Sequence, residues 1–266
     1  MTNYDIGVHV VPTGAPDDTS GLAELLNDGT IPPEDILCIL GKTEGNGCVN
    51  DFSRGLATRA YRELLADRLN IKPTEVHDEI LLIMSGGTEG VMTPHISVFT
   101  RTKTDAQSGN EKRLTAGTAS TPEIPAEELG RTEQVATTTA AVTRAMDDAG
   151  IRHPDNVAFV QIKCPLLTAD QMAAARDRGQ TLAIDDTYKS MGYSRAASAL
   201  GVAVATEEIS ADNITDKTIN SNPPMYSSVA STSAGVELDH SEVLVLGNSD
   251  AATSNYTIGN AVMKDA

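Results

Sequence analysis

The 266-residue chain is long enough to bury a sizeable core, as one large domain or two. Tryptophan is absent and aromatics make up 3% of the residues, so Ala, Val, Leu and Ile must build that core. A formal charge of −17 without any basic stripe argues against nucleic acid and anionic membranes as partners, since both require clustered Lys and Arg to replace counterions. The N-terminal MTNYDIGVHVV lacks the cationic start and long apolar run of a signal peptide, and no segment reaches transmembrane length. Three cysteines, an odd number, fit a reducing compartment better than a disulfide framework. A cytoplasmic protein of bacterial type is expected.

The first predicted element is a strand from Ile6 to Val11, followed by a turn at Ala15-Pro16-Asp17-Asp18 and a short helix around Leu22–Leu26. The apolar run 36–40 predicts a strand that feeds the Gly-dense loop GKTEGNGCVND and carries Lys42 at its end. Asp51 or Ser53 is placed to cap the next helix, where Leu56, Ala60, Leu64 and Leu65 recur at helical spacing and Arg54 falls in the first turn. A second apolar run, 80–84, delivers Ser85 into a Ser85-Gly86-Gly87 turn, and SVFT at 97–100 follows as a strand. Residues 103–112 are polar and turn-rich, a surface linker.

The same order then returns. LTAGTAS at 114–120 opens the second half, and a long helix over Thr132–Ala149 closes on Gly150. NVAFVQI at 156–162 predicts a strand that delivers Lys163, and Thr168-Ala169-Asp170-Gln171 is a capping box for a helix ending at Gly179. The polar stretch 210–226, with Asn222-Pro223-Pro224, is expected to be a surface excursion. ASTSAGVE at 230–237 echoes MSGGTEG, placing Ser233-Ala234-Gly235 where Ser85-Gly86-Gly87 stand, and VLVL at 243–246 follows as a strand. Each half has an arginine downstream of its lysine, Arg54 and Arg195. The lysines and serines recur at unequal periods, so the halves share an order but not a length. They divide into repeat unit A at 1–102, a linker at 103–112, repeat unit B at 113–250, and the start of a unit C at 251–266. In that last piece IGNAVMKDA (258–266) repeats the style of AVTRAMDDA (141–149) and aligns Met263 with Met146.

Taken singly, these features have plainer explanations. A lysine after a strand is usually a solvated surface residue, and Ser-Gly-Gly is ordinarily just a turn. A phosphate-loop reading of Gly41-Lys42-Thr43 fails because Ile36 stands where that motif needs its first glycine. His95, behind Pro94, is expected to be a structural polar residue, since no second histidine has ligand spacing. Cys48 and Cys164 have no histidine nearby in sequence and are expected to be small packing residues. Glu44 and Glu89 are expected to partner an arginine or lysine beside the loops. The acidic surplus forms a solvated surface.

GKTEGNGCVND, SGGTEGV with Pro94-His95, VQIKCPLLT (160–168) and SMGYSRAASALG (190–201) resemble the ring-opening amidohydrolase family of cyanuric acid hydrolases and barbiturases. The resemblance runs from near the N-terminus to the last residue. Arg195 within GYSR, together with Cys48 and Cys164, is similar to the cyanuric acid branch. The resemblance implies an α/β fold of repeated units around a pseudo-threefold axis, with a β-barrel-like core and outer helices. Each unit would give a Lys, a Ser and an Arg to one central site. On this basis the third unit is largely missing from the chain, its lysine, serine and C-terminal metal-binding segment falling beyond residue 266.

Cleaving an amide requires an activated nucleophile, a base, and donors for the oxyanion. Lysine and serine on adjacent strand ends supply the first two, and the residues alone leave two dyads open: Lys42 with Ser85, and Lys163 with Ser233. The family pattern implies that Lys163 is the base and Ser233 the nucleophile, while Lys42 and Ser85 bind substrate. Arg54 and Arg195 would orient ring carbonyls and disfavour protonation of the lysines. Backbone amides at Ser85-Gly86 and Ser233-Ala234 would add donors. The implied substrate is the small molecule cyanuric acid, opened to carboxybiuret and then decarboxylated to biuret. No cofactor is expected for catalysis and no metal within this sequence, a structural divalent ion belonging only to the third unit; a homotetramer is implied by the family. Two alternatives stand beside this: hydrolysis of barbiturate or a related cyclic imide, and a non-catalytic two-unit fragment. An amidase with a Ser-Ser-Lys triad is weaker, because its long Gly/Ser-rich motif is absent.

Overall fold

The short β-branched and aliphatic runs pair into two separate four-stranded sheets. The structure is a computed structural model that describes residues 3–88, 92–106, 108–109 and 111–261. By its internal contacts the chain divides into two units, the first comprising 1–108 with 253–255 and the second 109–252 with 256–266.

In the first unit the chain runs β1 (Asn3–Pro12), α1 (Ser20–Asn27), β2 (Ile36–Lys42), α2 (Ser53–Leu69), α3 (Val76–Glu79), β3 (Leu81–Ser85) and β4 (His95–Thr104). The sheet order is β1-β4-β2-β3. β4 lies antiparallel to both β1 and β2, whereas β2 and β3 are parallel. A parallel pair needs a crossover, and α2 supplies it. Leu22, Ile39, Tyr61, Leu65, Val76, Met84 and Val98 are buried together between helices and sheet. The Tyr61 hydroxyl donates to the Asp18 carbonyl at 2.9 Å, fixing α2 against the turn before α1.

The second unit repeats that topology in its own sequence. It runs β5 (Arg113–Ser120), α4 (Thr132–Asp148), β6 (Val157–Pro165), α5 (Ala169–Asp177), α6 (Thr187–Ala205), β7 (Ala230–Gly235) and β8 (Glu242–Ser249). The order is β5-β8-β6-β7, with β8 antiparallel to β5 and β6, and β6 parallel to β7. The expected capping box is present at the start of α5, where Thr168 accepts from the Gln171 amide. Gly150 and Gly179 hold positive φ just past α4 and α5, as helix stops do.

Three features differ from expectation. The helix α6, which the sequence pattern did not reveal, mixes Ser190, Ser194, Ser198 and Gly201 with Met191, Leu200 and Val202 on its buried face. That face is closed by a polar contact, the buried Gln134 of α4 donating to the Ser194 hydroxyl at 2.9 Å and to the Ser198 hydroxyl at 3.2 Å. The excursion at 210–226 is mostly exposed but anchored, because Ile214 and Ile219 bury against Leu200 and Ala197 of α6. Ser233 lies inside strand β7 rather than in a turn, since its small neighbours accept extended backbone and pair with β6. At the C-terminal end, the Leu114 amide donates to the Tyr256 carbonyl, while Asn248 and Ile258 exchange bonds of 2.7 and 3.0 Å. Met263 lies outside the described residues.

Candidate active site

Both sheets place a lysine beside a serine by the same device. Parallel strands joined by a helical crossover end at the same edge of the sheet, so residues at their C-terminal ends become neighbours. In the first unit this register pairs Lys42 of β2 with Ser85 of β3, and in the second Lys163 of β6 with Ser233 of β7. The antiparallel strand on the other side adds a third residue. His95, which opens β4, lies opposite Lys42, and Glu242, which opens β8, lies opposite Lys163.

The two lysines sit in different surroundings. Lys163 is 1% exposed, and its Nζ lies 2.9 Å from Oε1 of Glu237. A buried ammonium needs such a carboxylate, because its lost hydration is otherwise uncompensated. Gly235 leaves the space for it: a Cβ there would stand 2.1 Å from Glu237 Oε2 and push the carboxylate off its seat. Lys42 is half-buried and donates to the Gly86 carbonyl at 2.8 Å.

Cys164, next to Lys163, is fully buried, and its thiol donates toward the Ser233 carbonyl at 3.4 Å. Burial raises the thiol above its ordinary pKa, outweighing the opposite pull of Ser194, Ser198, Lys163 and Arg195. It therefore stays neutral, a packing residue with a polar seat. Arg195, on α6, is exposed, and its Nε donates to the Met191 carbonyl at 3.2 Å.

In the first unit the two Gly-dense loops are tied together around one carboxylate. The Thr43 amide donates to the Ser85 carbonyl at 2.8 Å, and the Gly87 amide donates to the Gly45 carbonyl. Asp51 accepts from the Gly47 amide at 2.8 Å and from both the amide and the hydroxyl of Ser53. Cβ atoms at Gly45 and Gly86 would lie 1.9 and 1.7 Å from the Asp51 oxygens, so only glycine admits the carboxylate between the loops. Arg54 is buried at the start of α2 and donates to the Cys48 carbonyl at 2.9 Å.

Burial pushes the Asp51 carboxyl upward, but the Ser53 hydroxyl, the Gly47 and Ser53 amides and the Arg54 charge together hold it below its ordinary value of 3.8. A carboxyl depressed by folding contributes stability above its unfolded pKa and loses it as pH falls through the folded one. Asp51→Asn should therefore destabilise the protein clearly at pH 6, and the gap from wild type should narrow as pH falls below 3.8. Denaturant unfolding at pH 6 and pH 3 checks this, and an unchanged gap would contradict the assignment.

Of the sequence-predicted site residues, Lys42 and Ser85 are brought together in one sheet, and Lys163, Ser233 and Ala234 in the other. Gly86 follows Ser85 at the sheet edge and accepts from Lys42. Glu44 is exposed, and Glu89 lies outside the described residues. Sequence reasoning missed Glu237, Glu242 and the loop-bridging role of Asp51, and gave His95 no place beside a lysine. A signal for Glu237 existed, since each serine is followed at the same offset by a glutamate, Glu89 and Glu237. Among the described residues no group of three or more His, Cys, Asp and Glu could hold a metal ion, and no helix is long and apolar enough to cross a membrane.

Comparison with known proteins bears directly on these strand ends. The family model described as "amidohydrolase ring-opening protein" matches residues 7–266. A cyanuric acid amidohydrolase of Enterobacter cloacae is 51% identical over 259 residues, covering 96% of this chain and 70% of that protein. A cyanuric acid amidohydrolase of Bradyrhizobium diazoefficiens is 51% identical over 268 residues, covering 100% of this chain and 72% of that protein. A solved cyanuric acid hydrolase superposes with a TM-score of 0.94 at 48% identity, over 97% of this chain and 71% of that one. With a family match over nearly its whole length, the chain belongs to the ring-opening amidohydrolases.

Proposed function

We propose that the chain opens the ring of cyanuric acid by hydrolysis of a ring C–N bond, using Lys163 and Ser233. The supporting observation is a serine registered beside a buried lysine at the end of parallel strands, in a chain 51% identical to cyanuric acid amidohydrolases. Lys163, as the amine, takes the Ser233 proton while Oγ attacks a ring carbonyl. Backbone amides at the strand end, Ser233-Ala234 among them, receive the developing oxyanion. The Oγ–C bond forms, the ring C–N bond breaks, and the leaving nitrogen takes the proton from Lys163. Water then cleaves the resulting ester by the reverse proton path, releasing carboxybiuret, which loses CO2 to give biuret.

Lys42, Ser85, Gly86, Arg54 and Arg195 are assigned to binding, each offering a donor to a carbonyl. The two units are taken as members of a pseudo-threefold set of repeats, which their matching strand orders support. A soluble cytoplasmic homo-oligomer without a catalytic cofactor completes the proposal.

The proposal is tested by assaying biuret release from cyanuric acid by the natural full chain, with barbiturate as the competing substrate. Turnover of cyanuric acid without productive hydrolysis of barbiturate is expected. Arg195→Ala should lower cyanuric acid turnover at least about tenfold, because a charge-assisted hydrogen bond contributes ~1.5–3 kcal/mol. Equal hydrolysis of both rings by the unmutated protein would move the chain to the barbiturate class.

A further inference from the structure

A lysine that serves as base for a serine must be held where its nitrogen reaches the hydroxyl, and Lys163 is buried at its strand end, 1% exposed. Five groups lie around it. The Ser233 hydroxyl is the group to be deprotonated. The neighbouring Cys164 thiol is held neutral by burial and already carries its proton. Glu237 places a carboxylate oxygen 2.9 Å from Nζ, within hydrogen-bond reach. Its seat is built for that purpose: Gly235 keeps open the space that any Cβ would fill, and the Glu237 side chain is only 19% exposed. Glu242 is the cross-strand partner of Lys163, and Arg195 contributes positive charge nearby.

We propose that Glu237 is the positioning residue of the Lys163–Ser233 dyad, its carboxylate anchoring Nζ at the strand end beside Ser233. The proposal rests on the dyad described above.

The test uses the natural full chain and two readouts. The first is the titration of Lys163 in protein carrying [ε-13C]lysine, its NMR signal assigned by its loss in Lys163→Arg. Glu237→Gln removes the negative charge that favours the ammonium, so the midpoint should fall by about one pH unit or more. The second is turnover of cyanuric acid. With Nζ no longer anchored beside Ser233, Glu237→Gln should lower kcat at least about tenfold with KM changed by less than about threefold, and Glu237→Asp should restore part of kcat. Thermal unfolding of each variant separates these effects from loss of fold. An unchanged Lys163 midpoint in folded Glu237→Gln overturns the proposal, as does a midpoint that moves in Glu242→Gln instead. Wild-type kcat in Glu237→Gln overturns it too. The NMR readout does not depend on catalysis, so a failure of the dyad itself would show separately, as turnover surviving in Ser233→Ala.

Discussion

Ser233→Ala is expected to lower cyanuric acid turnover by on the order of 10⁴-fold or more, the scale seen when a nucleophile that works as one unit with its base is removed. Ser85→Ala should behave differently. Both serines end up beside a lysine by the same parallel register, yet only Lys163 is fully buried against a carboxylate. Lys42 is half-buried and holds a backbone carbonyl, an arrangement suited to binding rather than proton exchange. Ser85→Ala should therefore raise KM far more than it lowers kcat. Steady-state kinetics of the two variants check this, and wild-type-like turnover in Ser233→Ala would remove the nucleophile from the account.

Lys163→Met is expected to be both inactive and destabilised. It leaves Glu237 as a largely buried carboxylate with its ammonium partner gone, and breaking a buried ion pair from one side costs about 3–5 kcal/mol. Because Glu237 keeps 19% of its side-chain surface, the lower end, about 3 kcal/mol, is the better expectation. Replacing both members removes the buried charge as well, so Lys163→Met with Glu237→Leu should recover most of that loss without regaining activity. Denaturant midpoints of the two singles and the double give the coupling directly. A double variant as unstable as the sum of the singles would mean that the ion pair contributes little to folding.

The strand ends were legible because they obey a simple rule. Apolar runs followed by glycine-dense loops mark strands that stop at a functional edge, and the order lysine, arginine, serine recurs in both halves. What could not be read was everything that depends on register or on polar packing. His95 and Glu242 open β4 and β8, and only pairing places them opposite the lysines. Asp51 or Ser53 looked like a cap for α2, but Phe52 holds the cap position without a side-chain bond, and Asp51 instead accepts from the amide and hydroxyl of Ser53. Its other oxygen bridges to Gly47, and both oxygens fill space left by Gly45 and Gly86, a role visible only with the two loops in contact. α6 stayed hidden because serine, glycine and alanine share its buried face with Met191, Leu200 and Val202, which dilutes the apolar stripe that periodicity detects.

Attack on the ring by Ser233 with Lys163 as its base is tested most directly by trapping the ester. The natural full chain is mixed with cyanuric acid, quenched in acid on the millisecond scale, digested and mapped by mass. The peptide that contains Ser233 should gain the mass of the whole opened ring, because ring opening by serine releases no fragment. The same adduct should be absent from Lys163→Met. An adduct found on the peptide that contains Ser85, with none on Ser233, would contradict the account.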